Sequence, residues 1–168
     1  IVWGIETPET RLNEKLVNRF DYDGVYGTVL NRFIVQAANN VPLTVYGTGG
    51  QTRAFIHISD TARCVQLAVE NPPNHESRVR IFNQVAETKN ILDLAKLLEL
   101  TYGAEVKLYE NPRKELAENE LEVDNQGLVS LGFQPITLEK GLVDDVRFIA
   151  ENNREKFDKS VLLNSPRW

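Results

Sequence analysis

Apolar positions recur along the chain at two spacings, and the change from one to the other divides it into extended and helical segments. Val29, Leu30, Phe33, Ile34, Ala37 and Ala38 follow the period of a helix, with Asn31, Arg32, Gln36 and Asn39 on its other face and Thr28 as N-cap. Residues 43–46 and 54–58 are short runs rich in β-branched and aromatic side chains, which predict two strands around a turn holding Gly47, Gly49 and Gly50. A helix then runs from a cap at Asp60 to about Asn71, with Ala62, Val65, Ala68 and Val69 as its stripe and Cys64 among them, until Pro72-Pro73 stops it. Residues 78–85 read as a strand. Ile91, Leu94, Ala95 and Leu98 predict another helix, capped by Asn90 with Asp93 as reciprocal partner.

Alternation over residues 105–109 predicts a further strand, and residues 124–131 a short helix ending at Gly132. The last helix starts at a Thr137 cap and buries Leu138, Leu142, Val146 and Ile149. Around these elements, residues 1–3 read as the end of a buried strand, residues 6–19 as an irregular excursion, and the stretch from Lys114 to Glu122 carries no assigned structure. Residues 151–159 are charged, and residues 158–168 read as a tail, docked or disordered. Strands alternating with helices throughout mean an α/β fold.

Composition narrows the class. With 168 residues, 42% of them hydrophobic, and no uncharged apolar run long enough to span a bilayer, the chain supports one core and no membrane span. A net charge of -5 without a basic run argues against nucleic acid, so an anionic ligand must be met by a few placed arginines. The single cysteine, Cys64, leaves no internal disulfide and makes the reducing cytoplasm the default compartment. Metal-site spacings are absent, and no metal is expected. The chain opens on Ile-Val-Trp-Gly and contains no methionine, which reads as a fragment whose N-terminal part is absent.

No catalytic constellation is present. His57 alternates within Phe55-Ile-His-Ile and reads as a structural residue, while His75 sits in a polar loop and reads as solvated. There is no Gly-x-Ser-x-Gly, His-Glu-x-x-His or phosphate-binding P-loop, no tyrosine followed four positions later by lysine, and no Gly-x-Gly-x-x-Gly opening a βαβ unit. What remains is a binding surface. Arg53 and Arg113 are the two best anion clamps, because a guanidinium fork matches phosphate oxygens bidentately. Each reads equally as a partner of a surface acid, and Asn31 and Arg32 equally as a solvated helix face. The aromatic and glycine-rich loop before Thr28 lies beside a helix N-terminus, where anions are favoured.

The segment Leu43-Thr-Val-Tyr-Gly-Thr-Gly-Gly-Gln-Thr-Arg-Ala-Phe-Ile-His-Ile-Ser-Asp60 resembles the substrate domain of extended short-chain dehydrogenase/reductases, the nucleotide-sugar epimerases and dehydratases, and Leu131-Gly-Phe-Gln-Pro135 is similar to their C-terminal signature. Within that superfamily, the run from Asn18 to Phe33, with Gly49-Gly-Gln-Thr-Arg53, Phe82-Asn-Gln84 and Asn111-Pro-Arg113, resembles the UDP-sulfoquinovose synthase branch. The resemblance implies a C-terminal substrate-binding lobe: the end of a Rossmann sheet plus a small mixed α/β lobe. It implies an enzyme that uses NAD to oxidise C4 of UDP-glucose transiently, eliminates water across C5 and C6 and adds sulfite, the nicotinamide carrying the hard step.

By the same resemblance Arg53 and Arg113 grip the diphosphate, Leu43, Thr44, Val45 and Tyr46 lie along the uracil with backbone groups, Thr28 and Asn31 face phosphate or ribose, and Gln51 is a neighbouring polar contact. The glycine fingerprint and the tyrosine-lysine pair that bind and use NAD in such enzymes would lie before Ile1, so these 168 residues alone should not turn over. A lobe without the sheet it packs on should expose apolar surface and self-associate, as in a homodimer. Such a protein belongs in the cytoplasm, or in the plastid stroma of a photosynthetic eukaryote. Two other readings stay open: the same lobe of another NAD-dependent nucleotide-sugar epimerase or dehydratase, and a binding module without chemistry.

Overall fold

The computed structural model describes residues 1–16, 20–74, 78–113 and 116–162. Its organising element is the strand β3 (Gly50–His57). The strand β1 (Val2–Trp3) runs parallel to it at its C-terminal end, pairing Val2 with Ile56 and Trp3 with His57. The strand β4 (Glu87–Asn90) runs antiparallel from Thr52 to Phe55, and β6 (Glu118–Asn119) pairs in parallel with Gly50 and Gln51. A separate two-stranded parallel sheet joins β2 (Leu43–Tyr46) to β5 (Val106–Tyr109), Leu43 opposite Val106.

Among the described residues five α-helices complete the order: α1 (Val29–Ala38), α2 (Ile58–Glu70), α3 (Ile91–Tyr102), α4 (Gln126–Val129) and α5 (Leu138–Asn152). The period-two alternation of β3 sends Phe55 into one cluster and Ile56 into another. Phe55 joins Phe33 and Ile34 of α1, Leu43 and Val45 of β2, Leu94 and Leu98 of α3 and Leu142 and Val146 of α5. Ile56 packs with Cys64, Leu67, Leu128 and Phe133.

Several elements differ from the sequence reading. The polar face of α1, which could equally have been solvated, is covered, for every residue from Leu30 to Ala38 is buried. Its Gln36 carboxamide accepts from the Thr44 N–H (3.2 Å) and donates to Thr44 Oγ1 (3.1 Å) and the Leu162 carbonyl (2.9 Å), so the polar stripe packs against a strand and the C-terminal segment. Asp60 is not a cap. His57 caps α2, its Nδ1 accepting from the Ser59 N–H at 3.2 Å, whereas Asp60 is buried and accepts from the Ile136 N–H at 2.6 Å.

That bond turns Asp60, Cys64 and Leu67 inward, leaving Val65 53% and Val69 75% exposed although periodicity assigned them to the core. No strand covers residues 78–85, where Val79 and Ile81 are exposed; the strand is the polar β4, held by its backbone ladder with β3. The Asn90 cap is present, accepting from the Leu92 N–H at 3.0 Å. Thr137 occupies the cap position of α5 without a side-chain bond, and the Leu138 N–H donates instead to Glu87 Oε1 at 2.6 Å. His75, Lys114 and residues 163–168 lie outside the described residues, while Leu162, at the start of the expected tail, is buried.

Gly49 shows why the turn between β2 and β3 needs glycine. Its φ is +69°, and a Cβ there would meet Val45 Cγ1 at 2.7 Å and Leu92 Cβ at 2.9 Å. Gly103, also left-handed at φ +73°, has open space around it. Gly49→Ala is therefore expected to lose roughly 2 kcal/mol in urea denaturation, strain plus overpacking, and Gly103→Ala roughly 1 kcal/mol. Equal losses would mean that the crowding at Gly49 is relieved at no cost.

Candidate functional site

A cavity of about 280 Å³ opens where α1, β2, β3 and the segment after β5 meet. Strand alternation splits β2. Leu43 and Val45 are fully buried in the core, and Thr44 and Tyr46 face the cavity. On α1, Thr28 and Arg32 stand one turn apart on the side that meets Thr44. Gln51 and Arg53 project from one face of β3. Because β5 runs parallel to β2, with Tyr46 opposite Tyr109 and the Gly47 N–H donating to the Tyr109 carbonyl (2.8 Å), the chain leaving β5 delivers Asn111 and Arg113 to the same end.

One wall is the loop before α1. Asp23 Oδ1 accepts from the N–H groups of Val25 (2.8 Å), Tyr26 (2.7 Å) and Gly27 (3.2 Å), which curls the loop and sets Tyr26 and Gly27 against the cavity. A Cβ on Gly27 would lie 2.4 Å from the Asp23 carbonyl oxygen, so only glycine closes the curl. Thr28 Oγ1 then caps α1 by accepting from the Asn31 N–H at 3.3 Å. The Asn31 side chain turns away from the cavity and donates to the Asp21 carbonyl at 3.1 Å. From outside, Tyr22 Oη accepts from the Asp158 N–H at 3.0 Å and its ring meets Phe157 edge-on at 5.0 Å.

Three guanidinium groups face this space. Arg53 is half-buried, its Nη1 donating to the Thr52 carbonyl (3.0 Å) and to Asn119 Oδ1 of β6 (3.3 Å). Arg113 follows an Asx turn in which its N–H donates to Asn111 Oδ1 at 2.9 Å. Arg32 is only 5% exposed; Nη2 donates to Thr44 Oγ1 at 3.2 Å and the guanidinium lies 5.1 Å from the centre of the Tyr46 ring. Burial holds its pKa below the usual arginine value, and Arg113 adds to that, against the opposing influence of Tyr46. Gln51 is buried with an Nε2 that has no hydrogen-bond partner among the described residues.

Among the described residues no carboxylate lines the cavity, although the chain as a whole carries a charge of -5. Such a space is chemically suited to holding an anion with acceptor oxygens. It contains no nucleophile paired with a base, and no group of side chains that could hold a metal ion occurs among the described residues. His57 is elsewhere, stacked edge-on against Trp3 at 4.7 Å, with burial and then the charge of Arg11 lowering its pKa.

Of the side chains singled out from the sequence, Thr28, Thr44, Tyr46, Gln51, Arg53 and Arg113 are brought together, while those of Asn31, Leu43 and Val45 do not line the cavity. Tyr26, Gly27 and Asn111 were not singled out. Arg32 stood equally open between the anion site at the start of α1 and a solvated helix face.

Comparison with known proteins follows this geometry. The model of the NAD dependent epimerase/dehydratase family matches residues 13–83, which contain α1, β2, β3 and α2. Along 100% of its length the chain is 42% identical to the chloroplastic UDP-sulfoquinovose synthase of Spinacia oleracea, and along 99% it is 39% identical to the UDP-sulfoquinovose synthase of Sulfolobus acidocaldarius. The chain is thus similar to NAD-dependent epimerases and dehydratases, through residues 13–83 to the family model and along its whole length to two UDP-sulfoquinovose synthases. It spans 36% and 44% of the lengths of those two relatives.

Solved structures of epimerases agree on the fold. A UDP-glucuronic acid 4-epimerase from Bacillus cereus, in complex with UDP-glucuronic acid and NAD, superposes with a TM-score of 0.58 at 27% identity over 74% of this chain and 43% of that one. A UDP-N-acetylglucosamine 4-epimerase from Methanobrevibacter ruminantium gives a TM-score of 0.65 at 21% identity, over 88% of this chain and 43% of that one. The chain is mixed α/β with parallel strand pairs, consistent with part of an extended short-chain dehydrogenase/reductase. None of its helices among the described residues is long and apolar enough to cross a membrane.

Proposed function

We propose that the chain is the nucleotide-sugar-binding part of an NAD-dependent enzyme that forms UDP-sulfoquinovose from UDP-glucose and sulfite. The observation that carries the reading is a cavity on which Arg53 and Arg113 meet, in a chain 42% identical throughout to a UDP-sulfoquinovose synthase. In it Arg53 and Arg113 bind the diphosphate. Asn119 holds one nitrogen of Arg53 in place at 3.3 Å, which reduces the side-chain entropy lost on binding. Thr44, Tyr46 and Gln51 take the nucleoside; Leu43 and Val45 contribute only main-chain groups, because their side chains belong to the core. Thr28 meets phosphate or ribose at the start of α1, while Asn31 supports the loop that borders it.

The residues here do not fit as a cradle for NAD. Gly47 gives its N–H to the Tyr109 carbonyl, Gly49 gives its own to the Tyr46 carbonyl, and a side chain at Gly49 would strike Val45, so the glycines close a turn between strands. In this reading NAD is held chiefly by residues outside these 168, the catalytic groups lie there too, and the isolated chain binds without turning over. The protein works in the cytoplasm or a plastid stroma.

Full-length protein supplied with NAD, UDP-glucose and sulfite should yield a sulfonated nucleotide sugar, detected by mass spectrometry. An epimerised or dehydrated UDP-sugar with no incorporation of sulfur would replace the synthase reading with that of another epimerase or dehydratase. Failure of the chain to bind UDP-glucose in calorimetry would remove both.

A further inference from the structure

From Glu151 to Lys159 every residue is charged or polar except one, Phe157. A polar stretch following a helix is ordered only where something ties it down, and this one is tied at both ends. The Asn153 N–H donates to the Ile149 carbonyl at 2.9 Å and closes α5, while Leu162 is buried in the cluster around Phe55 and its carbonyl accepts from Gln36 at 2.9 Å. Between these anchors a 3-10 turn, Arg154–Lys156, gives way to extended backbone at Phe157 (φ -98°, ψ 132°). Asp158 Oδ1 then accepts from the N–H and Oγ of Ser160, at 2.9 and 2.7 Å. The backbone is thus fixed on either side of the one aromatic ring.

That ring meets the loop before α1. Phe157 stands edge-on to Phe20 at 6.2 Å and to Tyr22 at 5.0 Å, and the Asp158 N–H donates to Tyr22 Oη at 3.0 Å. The same loop goes on to curl around Asp23 Oδ1 and to set Tyr26 and Gly27 on the cavity. Its tip buries little of itself, with Val25 36% and Tyr26 67% exposed, so the wall stands where its base is held. From this we infer that Phe157 is a positioning residue: lying outside the cavity, it sets one wall of it through Phe20 and Tyr22, so that a ligand bound there senses a substitution in the C-terminal segment. For the identity of that ligand this rests on the nucleotide-sugar reading; for the wall it does not. A ligand binds only the molecules whose wall is in place, and lowering their fraction lowers the apparent affinity in proportion.

Full-length protein, Phe157→Leu, Phe157→Tyr and, as a control for lost stability alone, Leu67→Val in the cluster around Ile56 are compared in three ways. These are melting curves, chymotryptic cleavage after Tyr26 without ligand, read by mass spectrometry, and calorimetry with UDP-glucose. Phe157→Leu, which keeps apolar bulk but no ring, should be cut after Tyr26 at least about fivefold faster and bind UDP-glucose at least about fivefold more weakly. Phe157→Tyr, which keeps the ring, should stay within about twofold of wild type in both. Unchanged cleavage or unchanged affinity in Phe157→Leu overturns the inference. So does an equal loss of affinity in Leu67→Val at the same drop in melting temperature, which would make Phe157 only a part of the core. Wild type that does not bind UDP-glucose removes the nucleotide-sugar reading; faster cutting of Phe157→Leu after Tyr26 then still upholds the anchored wall, and equal cutting overturns it as well.

Discussion

Arg53→Ala should weaken UDP binding by roughly 10–150-fold, the equivalent of one charge-assisted contact of about 1.5–3 kcal/mol. Arg53 comes from a strand paired with three others, with Asn119 Oδ1 holding one of its nitrogens at 3.3 Å. Arg113 comes from a loop after β5, and a double replacement should approach the product of the single losses unless the two guanidiniums grip the same oxygens. His57→Ala supplies the contrast. His57 lies outside the cavity and caps α2, so its loss should leave UDP binding within about twofold and lower stability by about 1 kcal/mol. Calorimetry on the three variants decides the matter, and similar small losses at Arg53 and His57 would contradict the clamp.

Stability should fall as pH rises from about 4 to about 7, through Asp145. This residue sits on the buried face of α5 at 4% exposure, accepts from the Ile5 N–H, and has an Oδ2 without a partner among the described residues. Burial pushes its carboxyl up to about 7, with Asp144 and Glu6 adding to that and Arg11 opposing it. Below pH about 4 the folded and unfolded chains both carry the proton, and the site contributes no pH dependence. Between the two pKa values the unfolded chain releases it while the folded chain keeps it, so each pH unit costs the fold about 1.4 kcal/mol, and above about 7 the loss levels off on the order of 3–4 kcal/mol.

Asp145→Asn keeps an oxygen for Ile5 and removes the titration. Its stability relative to wild type should therefore rise by on the order of 3–4 kcal/mol between pH 4 and pH 8 in urea denaturation. A difference that stays flat across that range would show that Asp145 ionises freely in the folded chain.

Legibility from sequence followed the physics of each element. Where one face is apolar and the other polar, as in Leu138, Leu142, Val146 and Ile149 of α5, the buried stripe could be read directly. On α2 two stripes competed, and the choice was made by the bond of Asp60 to Ile136, 76 positions away, which no local pattern contains. The strand β4 escaped because its residues, Glu-Thr-Lys-Asn, are held by backbone pairing with β3 and bury no apolar face. Arg53 and Arg113 were legible as chemistry because an arginine beside a glycine turn or an Asn-Pro bend is already at a chain reversal. The burial of Arg32 was not legible, because it depends on Thr44 and Tyr46 arriving opposite it.

The bond from Gln36 to the Leu162 carbonyl spans 126 positions and has a consequence for the order of events during synthesis. The polar layer between α1 and β2 is complete only when Leu162 has emerged, after every residue that lines the cavity. At about 5–20 residues per second, a nascent chain holding α1 and β2 waits several seconds with water in the place of the Leu162 carbonyl, while Gln36 already has Thr44 as a partner. A ribosome-bound chain stalled before Leu162 should thus keep the contact between α1 and β2 but leave that layer open to solvent on one side.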